Sequence, residues 1–326
     1  MNRVDKSRYS LNHLGNTLRG LCQETWLVAR DLFLILIPSI VIVKLLQETG
    51  LVELLAAAVE PLMQTFGLPG EMAIVWTTAI VTNIYGAMAV FMMIAGELEM
   101  TTAQMTVLGT MILICHSLPV ELALTQRVGC HFLFLGPLRL LGACLCGWCL
   151  HLLFQSLGLF SGPALILWTE QRVETTWFDW GWNQLVNLLF ILAVLFGLLA
   201  MVRFLNHIGF SAGMAKLLRP LLQVMGISSQ GASIAVFGLL AGITFGSGLL
   251  LAEVKRNSIP DKDVVLVLAF LSLSHGILED TALILLLGGH LFGILLFRLL
   301  FSVVVLAILS KLPFIQFDKL RQGQVA

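Results

Sequence analysis

The chain has 326 residues, of which 58% are hydrophobic and only 12% charged, and its 19 basic side chains balance 19 acidic ones. Soluble domains carry about a quarter charged residues, so this composition excludes a disordered chain, a nucleic-acid binder with a basic surface, and most soluble enzymes. A mean hydropathy of +0.94 points to a polytopic membrane protein, whose topology depends on where Lys and Arg sit rather than on their sum.

Residues 1–30 form a polar, basic arm carrying Arg3, Lys6, Arg8, Arg19 and Arg30. Leu11, Leu14, Leu18, Leu21 and Trp26 fall near helical spacing, which predicts an amphipathic arm on the cytoplasmic membrane surface. The apolar run begins too late for a cleavable signal peptide, and the positive flank places the N-terminus inside.

From there the chain is written twice. A shift of 159 positions superposes Pro61 on Pro220, Gly67 on Gly226, His116 on His275, Glu121 on Asp280, His131 on His290 and Arg139 on Arg298. Apolar coincidences are cheap in such a chain; matching His, Pro and Arg are not. Each repeat, 31–158 and 183–312, reads in the same order. A span (31–47; 183–204) precedes an amphipathic stretch (51–65; 211–225) and a long apolar segment (68–96; 227–254). Two further spans follow (103–128 with 131–157; 263–288 with 289–311). These runs suit a bilayer core needing about 20 helical residues per crossing. A Trp-rich connector, 159–182, joins the repeats, and residues 313–326 form a tail.

The long apolar segments set the topology. Polar and glycine residues interrupt them at Thr82-Asn83-Ile84-Tyr85-Gly86 and at Gly242 to Gly248. Each half-segment is too short to cross, so the pattern predicts re-entrant helical hairpins. Glutamates surround the first (Glu48, Glu53, Glu60, Glu71, Glu97, Glu99). Most of the bases surround the second (Arg203, Lys216, Arg219, Lys255, Arg256, Lys262). The positive-inside rule then has the first hairpin enter from outside and the second from the cytoplasm. Three spans per half, an odd number, invert the second repeat, placing the connector outside and both termini inside. An eight-span alternative with parallel halves leaves the basic bias unexplained. The expected fold is all-α integral membrane, in a bacterial inner membrane, with a lipid bilayer as the chief partner.

Ionisable groups inside a bilayer are functional candidates by default. The second span of the first repeat holds Cys115-His116-Ser117-Leu118-Pro119-Val120-Glu121; its mate holds Ser274-His275-Gly276-Ile277-Leu278-Glu279-Asp280. His116 lies roughly 15 Å deep at 1.5 Å per residue, near the midplane. Pro119 cannot donate to the Cys115 carbonyl, and Gly276 loosens the matching turn, so both spans are expected to break beside their histidine. Broken helices from inverted repeats are the usual setting of transporter sites. Arg139 and Arg298 are expected level with Glu121 and Asp280, as structural ion pairs or an anion-binding device. Asn83 and Tyr85 at one hairpin tip, with Thr244, Ser247 and Gly248 at the other, are placed to meet a solute. His131 and His290 read as structural. Cys144, Cys146 and Cys149 point to different helix faces and read as packing residues. Nothing resembles a phosphate-cradling loop or a nucleophile motif.

These residues resemble the Gate, or nucleoside-recognition, domain shared by concentrative nucleoside transporters, the membrane part of bacterial ferrous iron transporters, and spore maturation proteins. The string from Cys115 to Pro119 is similar to the Cys-x-x-Pro break of the iron transporters, with one extra residue between Cys and Pro. The resemblance covers roughly residues 32–312, one unit per repeat, and implies a membrane role without fixing a substrate. The reading that follows is a secondary transporter of a small polar, nucleoside-like solute, not an enzyme. It would be proton-coupled through His116, His275, Glu121, Glu279 and Asp280, because His titrates near physiological pH. No cofactor or nucleic acid is expected; a homo-oligomer is compatible with the sequence. The alternatives are a divalent-metal transporter using Cys115, His116, Glu121, His275 and Asp280, a non-transporting scaffold, and an intramembrane acid–base enzyme.

Overall fold

The computed structural model of the protein describes residues 60–94, 99–167, 176–256, 259–312 and 317–320 continuously, together with part of residues 19–49. Most of the arm, residues 51–59 of the first amphipathic stretch and Trp168 lie outside the described residues. Of the first expected span, 31–47, those residues that are described are helical.

Two short apolar helices come first, α1 (Met72–Val81) and α2 (Ile84–Ile94). The second span follows as α3 (Thr102–Ile114) and α4 (Leu118–Arg127), then α5 (Phe132–Leu157). After the connector come α6 (Trp177–His207) and α7 (Phe210–Val224). The order then repeats: α8 (Ser229–Ala241), α9 (Ile243–Lys255), α10 (Asp261–Ser274) and α11 (Glu279–Leu286). A π-helical turn, Phe292–Phe297, runs into α12 (Arg298–Leu309), and α13 (Phe317–Leu320) lies in the tail. Among the described residues, five helical stretches are long and apolar enough to cross a membrane: Thr102–Arg127, Phe132–Leu157, Trp177–Leu205, Asp261–Leu286 and Phe292–Leu309. The helix after the connector reaches back to Trp177, so Trp177, Trp180 and Trp182 belong to α6 rather than to a loop.

Local chemistry explains the ends. Thr101 and Gln104 close a capping box at the start of α3, while Asp261 and Asp263 sit in the first turn of α10, where the helix dipole favours negative charge. Pro119 falls in the first turn of α4, a position that needs no N–H.

Loop hydrogen bonds show which ends lie together. At one end the connector bonds back to α3: Thr102 N to Gly162 O (2.9 Å), Ala164 N to Met100 O (2.8 Å), and further on Leu167 N to Leu286 O (3.1 Å). Gly67, just before α1, joins the same end by accepting from Gln104 Nε2 at 2.9 Å. The opposite end gathers the α4–α5 turn, through His131 N to Leu320 O (2.9 Å), and the approach to α8, through Ser228 N to Asp263 Oδ2 (3.1 Å). Two consequences follow. The broken spans α3–α4 and α10–α11 run in opposite directions. Residues 67 and 100, on either side of the α1–α2 pair, both lie at the connector end.

Candidate functional site

Both spans break where the histidines sit. Helix α3 stops at Ile114 and α4 begins at Leu118; α10 stops at Ser274 and α11 begins at Glu279. Each break contains a left-handed residue, Ser117 (φ 47°) and Gly276 (φ 66°). Glycine adopts this conformation freely; serine pays about 1–2 kcal/mol for it. Each break also takes the tip of its own helix pair by a main-chain bond, Ser117 N to Ala79 O (2.9 Å) and Ile277 N to Leu239 O (3.3 Å).

The histidines from the two breaks meet in the interior, with ring centroids 5.1 Å apart. His116 and His275 are 6% and 3% exposed. Their Nδ1 atoms face carbonyls one turn back, Ile112 O at 3.0 Å and Leu271 O at 2.6 Å. A carbonyl only accepts, so each Nδ1 carries the hydrogen and each Nε2 is a bare acceptor in the neutral ring. Both Nε2 atoms turn towards one carboxylate: Glu121 Oε1 lies 3.4 Å from that of His116 and 3.3 Å from that of His275. Asp280 Oδ2 stands 3.9 Å from His116 Nε2. Four acceptors converge here.

The arginines are treated unequally. Arg139, with no exposed surface, pairs with the other oxygen of Glu121. Its remaining nitrogens donate to Ile114 O (Nε, 2.9 Å) and His116 O (Nη2, 2.9 Å), carbonyls of the break. Arg298 is equally buried but forms no ion pair with Asp280, contrary to the expectation from sequence. Its Nη1 reaches Leu113 O of the other repeat at 3.5 Å, and Nη2 has no partner. Asp280 instead faces His116, because α11 packs against α3 and brings the carboxylate across the repeat boundary.

The other expected residues divide. Tyr85 donates its hydroxyl to Glu279 Oε1 at 3.0 Å, tying the first helix pair to the second repeat. Asn83 accepts from Gly86 N at 2.9 Å and so caps α2. Ser247 is buried with its hydroxyl unpartnered; the side chain of Thr244 lies outside the described residues. Cys115 is buried beside the centre but does not join the group His116, His275 and Asp280, whose ligand atoms all lie within 4.8 Å of one another. His131 sits at the N-terminal boundary of α5 without a side-chain capping bond, and His290 stacks on Phe160 at 4.1 Å, both away from the centre. Ser117 was missed: besides its main-chain bond it donates its hydroxyl to Thr82 O at 2.9 Å. Its alignment with Gly276 was the available signal. A separate cavity of about 300 Å³ opens at the connector end, lined by Thr101, Gln104, His151 and Gln155 among others.

Fold and site together define an all-helical integral membrane protein with a buried cluster of histidines, carboxylates and arginines between two similar halves. Residues 29–125 match the Gate family model, described as nucleoside recognition. It is also similar to an uncharacterized membrane protein, YvoD, of Bacillus subtilis, 24% identical over 287 residues and covering 87% of this chain and 89% of that protein. No solved structure matches.

Proposed function

We propose that the protein is a secondary transporter of a small polar solute, with the His116–His275 centre as its transport site. The two repeats are inverted in an inner membrane with both termini cytoplasmic, and the α1–α2 and α8–α9 pairs are re-entrant hairpins. Access alternates as one half rearranges against the other. The carrying observation is that histidines from two broken, oppositely directed helices meet beside shared carboxylates at 5.1 Å. Charged groups cost several kcal/mol inside a bilayer unless they are paired or used, and Arg298 with its partnerless nitrogen is not fully paired. Four acceptors without a donor among them call for a cation, and a proton is the coupling ion of this reading. The family description supports a nucleoside-like solute, and the cavity at the connector end supports entry from that side.

The test is uptake into proteoliposomes of a radiolabelled nucleoside panel, with and without an imposed pH gradient. Gradient-driven uptake that falls at least tenfold in His116→Gln and His275→Gln is the expected result. Uptake indifferent to both substitutions removes the centre from the mechanism.

A further inference from the structure

We infer that the same centre is a binding site for a divalent first-row transition-metal ion, held by His116 Nε2, His275 Nε2 and Asp280 Oδ2. The tautomers make the argument. Because Ile112 O and Leu271 O accept from the two Nδ1 atoms, both Nε2 lone pairs are presented to the interior. This is the arrangement in which a metal-ligating histidine is oriented through its other nitrogen.

His275 is the independent observation. It is 3% exposed, its Nε2 has no hydrogen-bond partner, and that atom points at Glu121 Oε1 from 3.3 Å. Two acceptors facing each other at that distance repel unless something positive lies between them. The distances fit an ion with small adjustment. The nitrogen and oxygen atoms of His116, His275 and Asp280 already lie within 4.8 Å of one another. Ligands of a tetrahedral zinc-like ion, at 2.0–2.1 Å from the metal, sit roughly 3.3 Å apart, a closure that side-chain rotation supplies.

Ligand chemistry sets the class. Two imidazoles with carboxylate oxygens suit zinc, cobalt, iron or nickel in the divalent state, whereas magnesium and calcium prefer all-oxygen sets. Three carboxylates, Glu121, Glu279 and Asp280, against two arginines, Arg139 and Arg298, leave the surroundings one negative charge in excess when all are ionised. The two arginines oppose the ion by Coulomb repulsion, which weakens retention and suits an ion that must leave again.

Binding stands on the geometry alone; only the ion's passage across the membrane rests on the transport reading. The test uses the full chain in mild detergent, stripped with chelator and titrated with cobalt(II). One equivalent per chain is expected to give the visible absorption of four-coordinate cobalt, bleached by zinc. His116→Gln, His275→Gln and Asp280→Asn each weaken binding at least tenfold, while His151→Gln, remote from the centre, leaves it unchanged. X-ray absorption on the unaltered zinc-loaded protein, which needs no variant, should show two imidazole ligands. No stoichiometric absorption from monodisperse protein, or zinc spectra without imidazole, overturns the proposal. Nucleoside uptake after the same protein is reconstituted into liposomes reports on the transport reading separately, so either can fail without the other.

Discussion

In the first repeat, Arg139 takes up the Ile114 and His116 carbonyls at the break and neutralises Glu121; in the second, Arg298 reaches across to Leu113 O and leaves Asp280 to His116. The backbone differs in the opposite sense, with Gly276 relaxed in the left-handed region that Ser117 occupies under strain. Tyr85–Glu279 likewise has no polar counterpart, since the matching positions are Phe245 and Val120. The first repeat's arginine is paired beside a slightly strained break, while the second's break is unstrained and its arginine short of a partner. Identical placement of charge therefore does not produce identical pairing once each half packs against the other.

The largest effect is expected from Arg139→Met, which strips Glu121 and two break carbonyls of their partner. Losing one side of such a buried pair costs about 3–5 kcal/mol. Arg298→Met removes one long hydrogen bond and an unpaired charge, and should cost clearly less. Thermal unfolding in detergent measures both; equal losses would break the comparison between the two arginines.

Next comes the backbone. Gly276→Ala forces a side chain into the left-handed region and its Cβ against the Asp280 carboxyl, so a loss of at least about 1–2 kcal/mol is expected. Ser117→Gly relieves strain of the same size but gives up the bond to Thr82 O, and should stay within about 1 kcal/mol of the parent. A large loss at Ser117 with none at Gly276 would reverse the assignment. The smallest effect belongs to Tyr85→Phe, which deletes one interhelical hydrogen bond of the kind worth roughly 0.6 kcal/mol in membranes. Its signature is a small drop in unfolding temperature, with Phe245→Tyr giving no matching gain.

Much of this was legible in the chain. The matched histidines, the breaks beside them and the Arg139–Glu121 pair follow from repeat register and helix spacing, because partners within one repeat are fixed by local geometry. Contacts between repeats were not legible: α3 and α10 are apolar on every face, so periodicity gives no sign of which side meets the other half. That is why the sequence pairs Asp280 with Arg298, and why it gives no sign of Glu121 serving both histidines or of Tyr85 reaching Glu279.

The joint between each helix pair and its break shares one main-chain bond, Ser117 N to Ala79 O and Ile277 N to Leu239 O. Any residue except proline can supply that N–H, and any residue that carbonyl. The frame is thus indifferent to what its tips display, so the side chains there can change over generations without dismantling it. A joint of this kind lets one architecture be refitted with new chemistry, and lets two halves of one chain drift apart in sequence while keeping the same shape.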